Sequence, residues 1–213
     1  MDRRKRGRIF EVTSKMELRR CGLASLGARA FPQLDLLENI WQVNPMITRH
    51  FTKGDAVSEA TYSDCETYRY ALTRVWDTAG RKVLFLMLNP STATEVQNDP
   101  TVERCERRAR TLGFGAFRVC NIFAYRATDP REMRAADDPV GPGNDIAILD
   151  AIAWADEVVA GWGNHGEHLT RGKAVETLLR GQPKAPKHLG LTKVGHPTHP
   201  LYIGYKVQPE AWW

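Results

Sequence analysis

The chain has 213 residues with 42% hydrophobic and 26% charged positions, which is enough to build one globular core and excludes a disordered chain, a fibre or a small disulfide scaffold. No apolar run approaches the roughly 20 residues that a membrane helix needs, and the four cysteines (Cys21, Cys65, Cys105, Cys120) form no Cys-x-x-Cys pair. That pattern fits a reducing, cytoplasmic setting. The net charge of +5 is unevenly spread: residues 1–45 hold nine Lys/Arg and five Asp/Glu, while the other 168 residues hold 21 and 20. The main body is therefore nearly neutral and carries no global footprint for a polyanion.

Residues 3–8 form a basic cluster, and Arg19, Arg20 and Arg29 interrupt every apolar run that could follow it as a secretory leader. Leu34, Leu37 and Trp41 suggest at most one short helix. Residues 1–45 are expected to be an extension or a start-site artefact, the alternative being a helical arm packed on the domain. Residues 46–213 are expected to form a single α/β domain.

Within that domain, Tyr68–Trp76 is rich in β formers, Asp77-Thr78-Ala79-Gly80 has turn chemistry, and Val83–Leu88 is continuously apolar. The two runs read as a hairpin whose second strand is buried on both faces. Asp99 followed by Pro100 starts a helix, with Val102, Cys105, Ala109 and Leu112 inward and Gly113 at its end. Arg104, Arg107, Arg108 and Arg110 are expected on its solvated face. Phe117–Phe123 is the next strand. Asn144/Asp145 cap a helix that turns Ile148, Leu149 and Ile152 inward, and Glu157–Trp162 is a further strand. A helix over about 172–180 buries Val175, Leu178 and Leu179, and His188–Leu191 is a short last strand. Strands alternating with helices predict a three-layer α/β/α domain around a mostly parallel sheet, with its site at the carboxyl ends of the strands.

Four polar clusters fall at those ends. Asn89-Pro90-Ser91-Thr92-Ala93 follows the central strand, where proline stops pairing. Asn121, with Tyr125 and Arg126 beyond it, closes the next; an Asn at the end of an apolar strand has hydrogen-bonding valences that a ligand or a loop must satisfy. Trp162-Gly163-Asn164-His165-Gly166 combines close backbone approach with two polar side chains. Gly195-His196-Pro197-Thr198-His199-Pro200-Leu201-Tyr202 holds imidazoles on a loop stiffened by proline. Each is also ordinary turn chemistry; together they suggest a small-molecule or nucleotide site. No carboxylate or thiolate stands at ligand spacing beside His165/His168 or His196/His199, so no metal is expected. Ser91 lacks the Gly-x-Ser-x-Gly elbow of a hydrolase, and neither a P-loop nor a dinucleotide fingerprint appears, so no cofactor is expected.

The ordered series Tyr68-Arg69-Tyr70, Leu88-Asn89-Pro90-Ser91-Thr92-Ala93, Asn98-Asp99-Pro100-Thr101, Asn121-Ile122-Phe123-Ala124-Tyr125-Arg126, Trp162-Gly163, Leu189-Gly190 and His199-Pro200-Leu201-Tyr202 resembles the bacterial and archaeal family called domain of unknown function 1643. More distantly, Asn89-Pro90-Ser91 is similar to the Asn-Pro loop of uracil-DNA glycosylase-like proteins, and His199-Pro200-Leu201, or His196-Pro197-Thr198, to their His-Pro loop. The chain departs from that pattern at Met87, where a glycine is expected, and in His-Pro-Leu-Tyr, which replaces a longer DNA-wedging loop. That resemblance implies a uracil-DNA glycosylase-like fold and hydrolysis of an N-glycosidic bond in a nucleobase, nucleoside or nucleic acid; the lack of a long apolar run separately predicts no membrane partner. In it Asn89 positions water, Asn121 reads the base beside Tyr125, and His199 or His196 stabilises the leaving group. Pro90, Ser91, Thr92, Arg126, Trp162, Asn164 and Tyr202 would line the substrate. A non-catalytic module that recognises a modified base or nucleotide uses the same residues.

Overall fold

A computed structural model describes residues 46–213; the extension and the short helix expected near Leu34–Trp41 lie outside them. Eight strands form one mixed sheet in the order β1-β2-β3-β5-β4-β6-β7-β8. They are β1 (Met46–Lys53), β2 (Ala56–Ser63), β3 (Arg69–Val75), β4 (Lys82–Met87), β5 (Ala116–Asn121), β6 (Glu157–Ala160), β7 (Lys187–His188) and β8 (Glu210–Ala211). The helices are α1 (Pro100–Thr111), α2 (Pro130–Ala135), α3 (Asn144–Trp154) and α4 (Arg171–Arg180).

The sheet is not mostly parallel. Only β5-β4-β6-β7 run parallel, and the pairs β1–β2, β2–β3, β3–β5 and β7–β8 are antiparallel. The reason lies in the connections. A parallel pair needs a long crossover, whereas β1, β2 and β3 follow one another through short turns. The first is a two-residue turn in which Gly54 takes φ 63°, the left-handed conformation that matches hairpin twist.

Nor do β3 and β4 form a hairpin: β5 lies between them. The Asp77–Gly80 turn does form, with the Ala79 N–H donating to Asp77 Oδ1 at 3.0 Å. It is straddled over Gly115, whose carbonyl accepts from the Trp76 and Asp77 N–H groups at 3.0 and 2.9 Å and whose own N–H donates to Arg81 O at 2.8 Å. A Cβ on Gly80 would stand 2.6 Å from the Gly115 Cα, so this pair of glycines lets the two loops touch and admits β5 between the strands.

Strand β4 organises the core, because its alternate residues face opposite sides. Val83, Phe85 and Met87 pack with Val102, Cys105 and Ala109 of α1. Leu84, Leu86 and Leu88 pack with Met133 of α2, Ile148 and Ile152 of α3, and Val175 and Leu179 of α4. A run buried on both faces must be apolar throughout, as Val83–Leu88 is.

Local expectations hold for α1, where Asp99 Oδ1 accepts from the Val102 N–H at 2.8 Å and Pro100 occupies the first turn. They fail at three other points. The N-cap of α3 is Gly143, not Asn144, and Asn144 turns inward to donate through Nδ2 to Asn121 O and Ile122 O, both at 3.1 Å. Arg108 is not solvated; it is 2% exposed and donates to three backbone carbonyls of the C-terminal segment. The strand expected over His188–Leu191 shrinks to Lys187–His188, because the Gly190 N–H turns to His188 Nδ1 and Gly190 O accepts from the Thr198 N–H.

Candidate functional site

The parallel strands β4 and β6 end on a common edge of the sheet, and the chain leaving each must satisfy its backbone groups without a partner strand. After β4, Pro90 O accepts from the Ala127 N–H at 2.9 Å, and Asn89 Nδ2 donates to Ala127 O at 2.7 Å and Pro90 O at 3.1 Å. Asn89 thus staples the loop after β4 to the loop after β5. Its Oδ1 has no partner among the described residues and is left to accept.

Two buried arginines of β3 hold the continuation of that loop. Arg69 Nη1 donates to Ala93 O at 2.5 Å, and Arg74 Nη2 donates to Thr94 O at 2.7 Å and Asn98 Oδ1 at 3.1 Å. Burial pulls both guanidinium groups below their usual range, Arg69 to about 10, and each remains charged at neutral pH. Charge-assisted bonds to carbonyls fix the loop more firmly than neutral ones would.

The opposite wall comes from the His-Pro loop. The Gly163 N–H after β6 donates to Pro197 O at 2.8 Å, and the Thr198 N–H to Gly190 O at 2.9 Å. His199 caps a short 3-10 turn over Pro200–Tyr202, with its Nδ1 accepting from the Leu201 N–H at 3.3 Å. An Nδ1 that accepts puts the ring proton on Nε2. Burial drives the His199 pKa down to about 4, against the opposing pull of the Asp99 charge and with His165 adding to the depression. At neutral pH the ring is a neutral Nε2–H donor.

Between these walls lies a cleft of about 580 Å³. It is lined by Asn89, Ser91, Thr92, Trp162, Asn164, His199 and Tyr202 of the residues singled out in the sequence, together with Leu88, Thr128, His165, Thr198 and Leu201. The N-terminus of α1 supplies Asp99, Pro100 and Thr101. In the sequence Asp99 reads as a cap and as part of the Asn98-Asp99-Pro100-Thr101 segment, with no role in a site. The available signal is topological, since a helix that follows a parallel strand begins at the edge where that strand ends. Asp99 Oδ1 is spent on the cap, and its other oxygen takes no hydrogen bond among the described residues. The cleft therefore offers an acceptor, a neutral donor and a carboxylate between apolar and aromatic walls.

The other expected residues lie elsewhere. Pro90 is buried and does not line the cleft. Asn121 is 2% exposed beside Met87 in the sheet, and its Oδ1 has no partner among the described residues. Tyr125 and Arg126 line an adjoining groove of about 460 Å³ that shares Ser91, Thr92, Ala127 and Thr128 with the cleft. His196 pairs through Nε2 with Glu167 Oε2 at 2.7 Å and faces a separate cavity of about 290 Å³ with Lys173 and Trp212. Trp162 separates that cavity from the cleft and lines both. Among the described residues no three His, Cys, Asp or Glu side chains converge as a metal would require, and no helix is long and apolar enough to cross a membrane.

No curated protein and no solved structure matches the chain. Residues 69–201, more than half of its length, match the family described as Protein of unknown function (DUF1643), and they span every wall of the cleft except Tyr202. The chain belongs to the DUF1643 family.

Proposed function

We propose that the cleft binds the base and sugar of a nucleotide unit and hydrolyses the N-glycosidic bond between them. One observation carries this reading: Asn89, whose Oδ1 has no partner among the described residues, and His199, whose Nδ1 accepts from the Leu201 N–H, line one cleft. Their loops are the two that are similar to the Asn-Pro and His-Pro loops of uracil-DNA glycosylase-like proteins. In this reading the helices on both sides of the sheet form the three-layer α/β/α plan of that superfamily, and the free thiols of Cys65, Cys105 and Cys120 suit a cytoplasmic protein.

Asn89 Oδ1 accepts a hydrogen bond from water and directs its lone pair at the anomeric carbon. As the C–N bond breaks, its electron pair passes to the base, and the His199 Nε2–H stabilises the anion by a hydrogen bond. A neutral donor does this without requiring an imidazolium. The Asp99 carboxylate stabilises the cationic sugar and accepts the proton of the attacking water, and the departed base takes up a proton. Of the two histidines first considered, His199 serves this role, since His196 is engaged by Glu167 in another cavity.

The test is base release. The full chain is incubated with DNA, RNA and free nucleosides carrying uracil, hypoxanthine, alkylated and deazapurine bases, and freed bases are read by mass spectrometry. Release is expected from the parent and a loss of at least a hundredfold in Asn89→Ala. Affinity for a member of the panel with no release would identify a binding module instead, and neither affinity nor release would overturn the reading.

A further inference from the structure

The cleft is not closed on the side of Thr128. Ser91 Oγ and Thr128 Oγ1 stand 3.5 Å apart at its mouth, and the groove that contains Arg126 continues from them. Arg126 is held in place from several sides. Its backbone N–H donates to Thr67 O at 3.0 Å, its Nη1 donates to Glu66 O at 3.0 Å, and its guanidinium carbon lies 5.2 Å from the centre of the Tyr62 ring. Nε and Nη2 have no partner among the described residues, and Nε is buried.

The carbonyl that orients Arg126 is itself held at a cost. Glu66 takes φ 55°, a left-handed conformation that strains a residue with a Cβ by about 1 kcal/mol or more. The Glu66 carboxylate does not cancel the Arg126 charge, because Arg49 occupies both of its oxygens at 2.5 and 2.9 Å. A fixed guanidinium with a spare Nη2, one residue pair away from two facing hydroxyls and opening onto the cleft, has the chemistry of a phosphate contact. Glu66 and Glu132 are the carboxylates that line this groove among the described residues; Glu66 is paired with Arg49, and Glu132 opposes an anion there.

Resting on the reading of the cleft as a base and sugar site, we propose that the groove of Arg126, Ser91 and Thr128 binds the phosphate attached to that sugar, so that the substrate is a nucleotide unit, free or within a strand, and not an unphosphorylated nucleoside.

The experiment titrates the full chain calorimetrically with nucleosides, the matching 5′- and 3′-monophosphates, and trinucleotides of the same bases. Parent, Arg126→Gln and Glu132→Gln proteins are compared, with ribose 5-phosphate as a base-free ligand. The parent is expected to prefer a phosphorylated ligand at least tenfold over its nucleoside. Arg126→Gln should abolish that preference with nucleoside affinity unchanged, and Glu132→Gln should increase it. Tighter trinucleotides than monophosphates would assign the phosphate to a strand, and the reverse to a free nucleotide. Equal affinity for nucleoside and nucleotide overturns the proposal and leaves the base site standing. An Arg126-dependent affinity that ribose 5-phosphate, which has no base, matches in full keeps the phosphate contact but removes the base site. Absence of binding by every ligand overturns both.

Discussion

Asp99 and His199 line the same cleft, where two effects on the imidazole oppose each other: the carboxylate that caps α1 favours a protonated ring, and burial of the ring outweighs it, so that His199 stays neutral down to about pH 4. The pH dependence of stability follows. The unfolded histidine titrates near 6.5. Between that value and about 4 the unfolded chain binds a proton that the native state refuses, so stability falls as pH falls through this window. The loss attributable to His199 is at most roughly 3 kcal/mol. Above pH 6.5 neither state is protonated and the group contributes no slope. Urea unfolding of the parent and His199→Phe between pH 4 and 7 is expected to show a shallower decline in the variant, and matching slopes would contradict the assignment.

Burial on both faces made β4 and α1 legible, because a six-residue apolar run and an Asp-Pro start each have a single local explanation. The pairing of β3 was not legible in the same way. Asp77–Gly80 has the same turn chemistry whether the strands it joins are neighbours or admit a third between them, and only the contact of Gly80 with Gly115, 35 positions later, decides the matter. Strands β1 and β2 are less legible because neither carries a continuous apolar run like that of β4. The buried Arg69, Arg74 and Arg108 escaped for a related reason. Arginine in a sequence signals solvent, yet here each guanidinium answers carbonyls of a loop remote in the chain. Within the site, the Asn-Pro and His-Pro loops were found through their prolines. Asp99 and the separation of His196 from His199 depend on how the edge loops fold over the sheet.

Arg108 ties α1 to the segment that follows the His199 turn, donating to Val207 O at 2.6 Å, Gly204 O at 3.0 Å and Ile203 O at 3.2 Å. A lysine brings one ammonium in place of a planar fork and cannot serve three divergent carbonyls from one position. Arg108→Lys is expected to cost about 2 kcal/mol, the scale of lost charge-assisted bonds to buried carbonyls. Amide hydrogen exchange should rise over residues 203–207 and stay unchanged in β4 and β5. Uniform exchange across the domain would point to a general packing defect.

Gly166 and Gly172 bracket the indole of Trp162, which is 1% exposed between the cleft and the second cavity. A Cβ on Gly166 would fall 2.3 Å from Trp162 Cδ1, and one on Gly172 would fall 3.0 Å from Nε1. The first contact is impossible without movement of the ring or the loop. Gly166→Ala is expected to destabilise the domain by roughly 1–3 kcal/mol, the usual cost of overpacking, and to shift the Trp162 fluorescence. Gly172→Ala should be milder. A Gly166→Ala protein with parental melting temperature and emission would show that the indole is not clamped there.

Tyr202 presents the largest aromatic exposure of the described residues, 79%, at the lip of the cleft and beside His199, whose ring centre is 6.2 Å away. An exposed side chain contributes little to folding, so Tyr202→Ala is expected to change stability by no more than about 0.5 kcal/mol. Its energetic role would arise when a planar ligand enters and covers the ring. Base–aromatic stacking is worth about 1–3 kcal/mol, so affinity for a base-containing ligand should fall by roughly five- to 150-fold. Tyr202→Phe keeps the ring and should retain most of the affinity. Equal weakening by Ala and Phe would transfer the effect to the phenol hydroxyl, and no weakening by either would place the ligand deeper in the cleft, against Asn89 and Trp162.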